Sequence, residues 1–451
     1  MGRNNVRAEL RFPPLEPHTV LDIKLIREDP ERFKAAAVKK HFPERAEAVD
    51  RLLALDAEVR ALIPELDGKR SEQKSASKEM GQKMGQLEPA ERQVYLEAQK
   101  ALKTELQAME ERERELKSAM DVQLLLIPNV PDDDVPEGKD DQANVEVRTW
   151  GEVPEFSFPV RPHYELGEAQ GWMDFQRASQ ISGSRNYFLM VEAAELQDAV
   201  LRYAVESMTA KGFTLVDPPL LVRDPAMVGT AFFPGGEEQT YRCERDELNL
   251  IGTAEVPVTS LHTGEILTED ELPKLYVGRS SCFRREAGTY GKDTKGLYRV
   301  HQFQKVEQVI VDVNDEAKSR EHHEAIVANA EAILQALHLP YRVVNVCGGD
   351  LGAPQVKKFD IECWMPSRDS YGETHSASRF HDFQARRLKL RYRRADTKKV
   401  AFCHTLNNTV LASPRILIPL LEIHQQADGT VAVPEALVPF LGGKTVLGKA
   451  L

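Results

Sequence analysis

The sequence predicts an α+β protein in which a long antiparallel helical hairpin, a coiled-coil arm, precedes a domain built on an antiparallel sheet flanked by helices. Heptad spacing of apolar residues between about residues 46 and 120 predicts the hairpin. Runs such as KLYVGRSSCF and LYRVHQFQKVEQVIV have strand character, and short turns join several of them, which favours antiparallel pairing. Neither GxGxxG nor GxxxxGK followed by Ser or Thr comes after a strand, which argues against a doubly wound nucleotide-binding fold.

Two apolar stripes with spacings of mostly three and four residues mark the helices of the hairpin. They are Leu52, Leu55, Val59, Leu62 and Leu66 in the first helix and Leu102, Leu106, Met109, Leu116 and Met120 in the second. Gly81, Gly85 and Pro89 indicate a turn between them, so two helices of roughly 30 residues, each roughly 45 Å long, should fold back on each other. Pro64 and Gly68 lie inside the first helix, where we expect a kink or a break.

Composition shifts divide the chain into four segments. Residues 1–19 are predicted to be a mobile extension, and residues 20–126 form the helical arm. Residues 127–150 are rich in Pro, Asp and Gly and are predicted to be a linker. The mixed α/β domain is predicted to occupy residues 151–451.

The overall composition excludes several classes of protein. The 451 residues carry a net charge of −12, which argues against nonspecific nucleic-acid binding by the whole surface but allows a local basic patch. No apolar run approaches a membrane-spanning length, and the N-terminus lacks the apolar core of a secretory signal. The five cysteines form no CxxC pair and no zinc-site spacing, so we expect reduced thiols in a cytoplasmic protein.

One stretch, FRREAGTYGKDTKGLYRVHQFQKVE at residues 283–307, carries an unusual density of reactive groups. Strand periodicity would place Arg284 and Glu286 on one face of the first arm. It would also place Arg299, His301, Phe303, Lys305 and Glu307 on one face of the returning strand. Arginine suits a phosphate, a flat aromatic suits a base, and a carboxylate suits an ammonium, so the hairpin could hold an aminoacyl-nucleotide. A solvated hairpin with cross-strand ion pairs would show the same charges.

With two further segments, the hairpin resembles the class II aminoacyl-tRNA synthetases. FRREAG and GLYRVHQFQKVEQ resemble motif 2, TLNNTVLASPRILIPLLE at 405–422 resembles motif 3, and KGFTLVDPP at 211–219, with its helix from about Leu196, resembles motif 1. The segments TAE at 253–255, SGSR at 182–185 and DFQARR at 382–387 narrow the resemblance to the seryl-tRNA synthetases of bacterial type. The resemblance runs from about Val20 to the C-terminus and implies an antiparallel class II catalytic domain over 151–451.

The resemblance implies that the protein activates serine with ATP, assisted by Mg²⁺, and transfers it to tRNA(Ser), and to tRNA(Sec) where that is present. Arg284 and Arg415 are implied as the catalytic cations. The implied ATP-binding residues are Arg284, Arg285, Glu286, Val300, Phe303, Glu373, Thr374, His375, Ser376 and Arg415, with Glu373 and Ser376 also implied as metal ligands. The implied serine-binding residues are Thr253, Ala254, Glu255, Glu307 and Thr409. This chain departs from many relatives at two places. It has Asn408-Thr409 where they have a Gly-Ser pair, but Thr409 keeps the hydroxyl. It has His375 where they have a small residue.

The resemblance also gives the arm a role in binding the long variable arm of serine tRNA, within a homodimer and away from membranes. The stretch from Gly68 to Lys83 contains five basic and two acidic residues, which gives a local charge of +3 in an acidic protein. The predicted tRNA-binding residues are Lys69, Arg70, Lys74 and Lys78. Ion pairing within the hairpin is the alternative for these charges.

Four alternative functions fit the sequence less well. A ligase that loads an amino acid onto a carrier protein would lack the arm. The zinc-dependent form of the seryl enzyme would need a Cys ligand, and none lies among the implied serine-binding positions. A coiled-coil protein that only binds partners would explain the heptads, but the heptads cover only about a quarter of the chain. A degenerate synthetase would have lost Arg284, Glu286 or Arg415, and all three are present.

Overall fold

The structure is a computed structural model that describes residues 21–83, 88–288 and 295–451. The predicted extension 1–19 and part of each predicted turn, in the arm and after Gly288, lie outside the described residues. The chain divides into two units, a helical one that ends at Pro128 and a larger one that comprises Asn129–Leu451 together with Lys39–His41.

The helical unit contains the predicted hairpin. Its helices are α1 (Ile23–Glu28), α2 (Pro30–Lys39, whose last residue belongs to the larger unit), α3 (Ala46–Lys83) and α4 (Pro89–Leu126). Both long helices have 38 residues, which corresponds to about 57 Å. The heptad stripe is confirmed, since Leu52, Val59 and Leu66 are buried on α3 and Leu106, Leu116 and Met120 are buried on α4. Pro89 occupies the first turn of α4, where its missing N–H removes no helical hydrogen bond.

The predicted break near Pro64 is wrong, because α3 continues through Pro64 and Gly68 without interruption. A proline inside a helix removes one backbone hydrogen bond and crowds the preceding turn. Here the apolar stripe continues on both sides of Pro64, from Val59 to Leu66, and the packing of that stripe against α4 keeps the helix intact.

The larger unit is built on an eight-stranded sheet that is antiparallel except at one edge. Its strands are β1 (Val145–Trp150), β4 (Thr214–Val216), β9 (Lys274–Phe283), β10 (Gln302–Asp312), β11 (Tyr341–Asn345), β12 (Lys357–Met365), β13 (Ser370–His381) and β16 (His404–Ser413). Their order is β1-β11-β12-β13-β16-β10-β9-β4, and only β4 and β9 pair in parallel. The predicted antiparallel α+β class is therefore confirmed.

Short sheets and helices surround this central sheet. The remaining strands are β2 (Met173–Asp174), β3 (Phe188–Leu189), β5 (Leu221–Arg223), β6 (Arg242–Cys243), β7 (Leu248–Leu250), β8 (Ile266–Thr268), β14 (Arg391–Arg393), β15 (Val400–Phe402), β17 (Val431–Ala432) and β18 (Val446–Leu447). The helices are α5 (His163–Ala169), α6 (Phe175–Ser182), α7 (Val191–Ala210), α8 (Asp224–Gly229), α9 (Glu255–Thr259), α10 (Glu316–Ala336), α11 (Phe383–Leu388) and α12 (Leu417–Ile423). The main core lies where α7 and α10 pack on the sheet, and it includes Val200 and Ile326 from the helices and Val306 and Leu411 from the strands.

The segment 127–150, predicted to be a linker, differs from that prediction in two ways. Residues from Asn129 onward belong to the larger unit, and Val145–Trp150 pairs with β11 as the edge strand β1. Its irregular part is also held, because Asn129 donates to the Phe380 carbonyl at 2.8 Å and Asp132 pairs with Arg379. Pro and Asp prevent regular structure there, but side-chain hydrogen bonds attach the segment all the same.

Among the helices of the described ranges, none combines the length and the apolar character that crossing a membrane requires.

Candidate active site

The hairpin that the sequence singled out forms β9 and β10, and its polar face opens into a cavity. Phe303, Lys305 and Glu307 on β10 line that cavity together, as the two-residue strand period predicts. The prediction that Arg299 and His301 also lie on the strand is wrong, because β10 starts at Gln302. The His301 N–H bonds to the Arg185 carbonyl, whereas the His301 carbonyl still accepts from the Arg284 N–H.

The cavity has a volume of about 170 Å³ and is lined mainly by polar and charged side chains. Most of the predicted substrate residues line it, namely Thr253, Glu255, Arg284, Glu286, Val300, Phe303, Glu307, Glu373, Thr374, Ser376, Thr409 and Arg415. These residues come from five regions of the chain, and the central strands β10, β13 and β16 supply several of them.

Three arginines line the cavity, Arg284 and Arg299 from the motif-2 segment and Arg415 from the motif-3 segment. Contacts hold Arg284 and Arg415 there. The Arg284 guanidinium lies 5.2 Å from the centre of the Phe303 ring, and its backbone N–H donates to the His301 carbonyl at 2.9 Å. The Arg415 Nε donates to the Tyr298 carbonyl at 3.2 Å, and its Nη1 donates to the Glu373 carbonyl at 2.9 Å. Each guanidinium is thereby held at the cavity, where a phosphate could meet its planar fork.

The Glu373 carboxylate lies among cations. Its surroundings in the cavity desolvate it and oppose its ionisation, but Arg415, Lys358 and Arg284 together hold the pKa of Glu373 below its usual range. Its Oε2 lies 3.6 Å from Arg415 Nη1. The Ser376 hydroxyl lines the same wall. This wall therefore combines a carboxylate whose ionised form is favoured with a hydroxyl oxygen.

A second set of carboxylates lies deeper, on the side of the TAE segment. Lys305 Nζ pairs with Glu307 Oε2 at 2.6 Å, and the Thr409 hydroxyl donates to the same oxygen at 3.3 Å. Glu255 is also buried, and burial together with the charge of Glu307 raises the pKa of Glu255 to about 7. The Gln384 amide donates to Glu255 Oε1 at 2.8 Å and fixes the orientation of that carboxyl group.

Three predicted residues do not line the cavity. Ala254 packs beneath it with Val258 and Tyr276, and Arg285 is exposed, with its backbone N–H bonded to the Gln239 carbonyl. His375 is buried between the Thr374 hydroxyl and the Val410 carbonyl. Burial lowers the pKa of His375 to about 4, so it is a neutral residue inside the sheet.

Other residues line the cavity without having been given a binding role from the sequence. They are Phe232, Leu297, Tyr298, Arg299, Lys305, Gln355, Ser378, Asn407, Ala412, Ser413 and Pro414. Strand periodicity had assigned Arg299 and Lys305 to the polar face of the hairpin, but to no substrate. Phe232 and Gln355 come from loops far away in sequence and carry no local signal.

Comparison with known proteins gives a consistent result over nearly the full chain. Residues 20–131 match the seryl-tRNA synthetase N-terminal domain, and residues 241–424 match the tRNA synthetase class II core domain (G, H, P, S and T). A serine–tRNA ligase of Deinococcus radiodurans is 46% identical over 430 residues, covering 95% of this chain and 99% of that protein.

Solved structures agree with the sequence relatives. The crystal structure of seryl-tRNA synthetase from Pyrococcus horikoshii complexed with ATP superposes with a TM-score of 0.88 at 40% identity, covering 96% of this chain and all of that one. The cytoplasmic serine–tRNA ligase of Naegleria fowleri in complex with AMP gives 0.83 at 31% identity and covers 96% and 99%. A Giardia lamblia prolyl-tRNA synthetase, 14% identical with a TM-score of 0.54, shares the fold. The chain therefore belongs to the seryl-tRNA synthetase family.

Proposed function

We propose that the cavity between β10, β13 and β16 is where this ATP-dependent serine–tRNA ligase forms seryl-adenylate and transfers serine to the 3′ end of tRNA(Ser). The observation that carries the assignment is the pairing of two arginines at one part of the cavity with two buried carboxylates at another. The triphosphate of ATP needs cations and the ammonium of serine needs carboxylates, and both sets must lie in one cavity for the two substrates to react.

ATP is assigned to the arginine side. Arg284 grips the α-phosphate and the serine carboxylate, and Arg415 meets the γ-phosphate. Phe303 stacks on adenine, with Val300 beside it, and Glu286 accepts from the adenine amino group. The contact between Arg284 and the Phe303 ring supports this order, because it places the base and the α-phosphate next to each other.

The residues at Glu373 and Ser376 fit Mg²⁺. Among the described residues no cluster of three His, Cys, Asp or Glu side chains could hold a metal on its own. Mg²⁺ usually keeps waters and substrate phosphates and takes only one or two protein ligands, which Glu373 and Ser376 supply. When bound, the ion neutralises phosphate charge.

Serine is assigned to the carboxylate side. Glu255 pairs with the ammonium, and Thr253 lies next to it, its hydroxyl accepting from the Glu255 N–H at 3.2 Å. Glu307 and Thr409 read the serine hydroxyl. Alanine has no hydroxyl to bond to these buried groups, so a site of this kind rejects it strongly, whereas threonine must be rejected by limited space.

The chemistry needs no protein nucleophile. The serine carboxylate attacks the α-phosphorus of ATP, and the bond to pyrophosphate breaks. The terminal ribose hydroxyl of tRNA then attacks the acyl carbon, and AMP leaves. Positioning and charge neutralisation by Arg284 and Arg415 supply the catalysis.

The arm is assigned to tRNA. Lys69 pairs with Glu105 at 2.8 Å and Arg70 with Glu110 at 3.1 Å, so these two cations are partly neutralised by α4. Lys74 and Lys78 lie farther along α3 and form no ion pair within the described residues. We therefore place the main phosphate contacts at Lys74 and Lys78.

Changing Lys74 and Lys78 together to Ala is expected to raise the KM for tRNA(Ser) about tenfold and to reduce the salt dependence of tRNA binding by about two phosphate contacts. Charging with labelled serine over a salt series measures both quantities. Serine-dependent ATP–pyrophosphate exchange should be unchanged. Arg112→Ala with Arg114→Ala is the matched control, because these arginines pair with neighbouring glutamates. Absence of any charging by the unaltered protein would overturn the assigned function.

A homodimer and a cytoplasmic location complete the proposal. The edge strand β4 leaves Leu215 51% exposed. An exposed apolar edge strand favours pairing with a second copy. The cytoplasm is where tRNA charged with serine is used in translation.

A further inference from the structure

A buried imidazole–carboxylate pair lies behind the cavity wall. His163 is the first residue of α5, and Glu422 lies near the end of α12. Their side chains are joined by a 2.7 Å contact between His163 Nδ1 and Glu422 Oε1. His163 is 5% exposed and Glu422 is fully buried. The two residues are 259 positions apart in sequence, and neither lines the cavity.

Hydrogen bonding fixes the tautomer of His163. The Leu297 N–H donates to His163 Nε2 at 3.1 Å, so Nε2 must be unprotonated. Nδ1 therefore carries the hydrogen and donates it to Glu422. The Glu422 carboxylate also accepts from the His163 N–H at 2.9 Å. Burial opposes ionisation of Glu422, but these donors from His163 hold the pKa of Glu422 below its usual range.

The chain approaches the imidazole unusually closely at this point. Gly296 has φ +73°, and a Cβ there would lie 2.2 Å from His163 Nε2. Only glycine permits both the left-handed backbone and this approach. The segment that enters the cavity wall at Leu297 is therefore docked on His163 through its backbone.

The residues after Gly296 connect this contact with the proposed ATP site. Leu297 and Tyr298 both line the cavity. The Tyr298 carbonyl accepts from Arg415 Nε at 3.2 Å, and the Arg415 guanidinium lies 4.4 Å from the centre of the Tyr298 ring. Because Arg415 lies just before α12 and Glu422 lies on it, the contacts close a ring from Arg415 through Glu422, His163 and Leu297 back to Tyr298.

A second branch of the ring reaches the same tyrosine. Glu422 accepts from the Ser367 N–H at 2.9 Å and from the Ser367 hydroxyl at 2.7 Å. The next residue, Arg368, places its guanidinium 4.2 Å from the centre of the Tyr298 ring. Glu422 thereby holds both the backbone that carries Arg368 and, through His163, the backbone that carries Tyr298.

We propose that His163 and Glu422 are positioning residues that hold Tyr298 and Arg415 in the geometry that binds the ATP phosphates. The proposal rests on the proposed function, in which Arg415 meets the γ-phosphate. A pair that only filled the core would not need an acceptor aimed at the backbone of the cavity wall. The chain uses that acceptor at Leu297, one residue before the tyrosine that contacts Arg415.

Two amide substitutions test separately the hydrogen bonds that the two ring nitrogens of His163 make. His163→Asn can keep a donor near the Nδ1 position for Glu422, but it is too short to accept from Leu297. His163→Gln can place its amide oxygen near the Nε2 position and accept from Leu297. We expect His163→Asn to raise the KM for ATP roughly tenfold with the KM for serine unchanged, and His163→Gln to stay within about threefold of the unaltered protein. Serine-dependent pyrophosphate exchange gives both KM values.

Ser367→Ala provides a variant that removes one bond to Glu422 at an exposed position, and we expect it to raise the KM for ATP about threefold. His424→Asn is the matched control, because His424 lies two residues after Glu422 and bonds to the Leu337 carbonyl, away from the cavity wall. Equal KM values for ATP in His163→Asn and His163→Gln, or a parallel loss of ATP and serine affinity, would overturn the proposal.

Calorimetric titration with ATP alone measures ATP affinity without any turnover. A failure of the proposed function would therefore be distinguished from a failure of this proposal.

Discussion

Arg284→Ala is expected to reduce the kcat of serine-dependent ATP–pyrophosphate exchange by at least about 10³-fold, the largest effect expected from a single side chain in this protein. The proposed in-line attack brings the serine carboxylate and the α-phosphate together, and both are anions. Arg284 is the cation assigned to that point of the cavity, and its fork can hold one oxygen from each. Loss of the fork leaves the two anions to repel each other in a partly dehydrated site.

The neighbouring residue offers a stringent control. Arg285→Ala changes the same charge one position away, but Arg285 is exposed and does not line the cavity. Its exchange rate should remain within about twofold of the unaltered protein, because surface changes away from a site have small effects. Arg284→Lys keeps the charge and loses the planar fork, so it should recover only part of the activity. Equal losses from Arg284→Ala and Arg285→Ala would contradict the assignment.

Glu255→Gln is expected to weaken serine binding about 10- to 100-fold, since a charge-assisted hydrogen bond in a buried site contributes about 1.5–3 kcal/mol. The substituted amide would keep an oxygen that accepts from the Gln384 amide, so the local hydrogen bonding survives. What is lost is the negative charge that meets the serine ammonium. The KM for ATP should not change. Titration calorimetry with serine measures the difference directly.

The raised pKa of Glu255 gives this prediction a pH dependence. With a pKa of about 7, Glu255 is largely protonated at pH values near 6 and cannot pair with an ammonium. Serine affinity should therefore rise with pH, by up to about tenfold per pH unit below the pKa, and level off above it. Binding below the pKa should also release a proton, which appears as a dependence of the binding heat on the buffer. Both effects should disappear in Glu255→Gln.

Stability provides the check on folding. The folded-state pKa of Glu255 lies above its ordinary value of 4.5, so the folded protein binds the proton more tightly than the unfolded chain. The contribution of the protonated Glu255 to stability is complete below the ordinary pKa and is lost as pH rises through the folded-state pKa, by an amount on the order of 3 kcal/mol. Glu255→Gln should therefore have a higher Tm than the unaltered protein at about pH 8 while binding serine more weakly. A lower Tm at that pH together with a pH-independent serine affinity would contradict the assignment.

Local sequence patterns predicted the helical hairpin and the antiparallel sheet, because the spacing of apolar residues shows directly which face of a helix or strand is buried. The heptad stripe predicted α3 and α4, and short turns between strand-like runs predicted an antiparallel sheet. The predictions that failed depended on tertiary contacts. Packing on α4 carries α3 through Pro64, and pairing with β11 turns the end of the apparent linker into a strand.

Site residues on regular strands were also accessible from sequence. Phe303 and Glu307 share a face because of strand periodicity. Tyr298 and Phe232 lie in irregular segments, where no period tells which way a side chain points. The contact between His163 and Glu422 could not be predicted for a different reason. The two residues are 259 positions apart in sequence, so no local pattern indicates their contact.

Serine-dependent ATP–pyrophosphate exchange in the absence of tRNA is the most direct measurement of the central claim, that this cavity activates serine. Serine, threonine, alanine and glycine would be compared at matched concentrations. We expect exchange with serine, and exchange with alanine or glycine at least about 100-fold lower, because these amino acids have no hydroxyl to bond to Glu307 and Thr409. No exchange with any amino acid, or faster exchange with another amino acid than with serine, would contradict it.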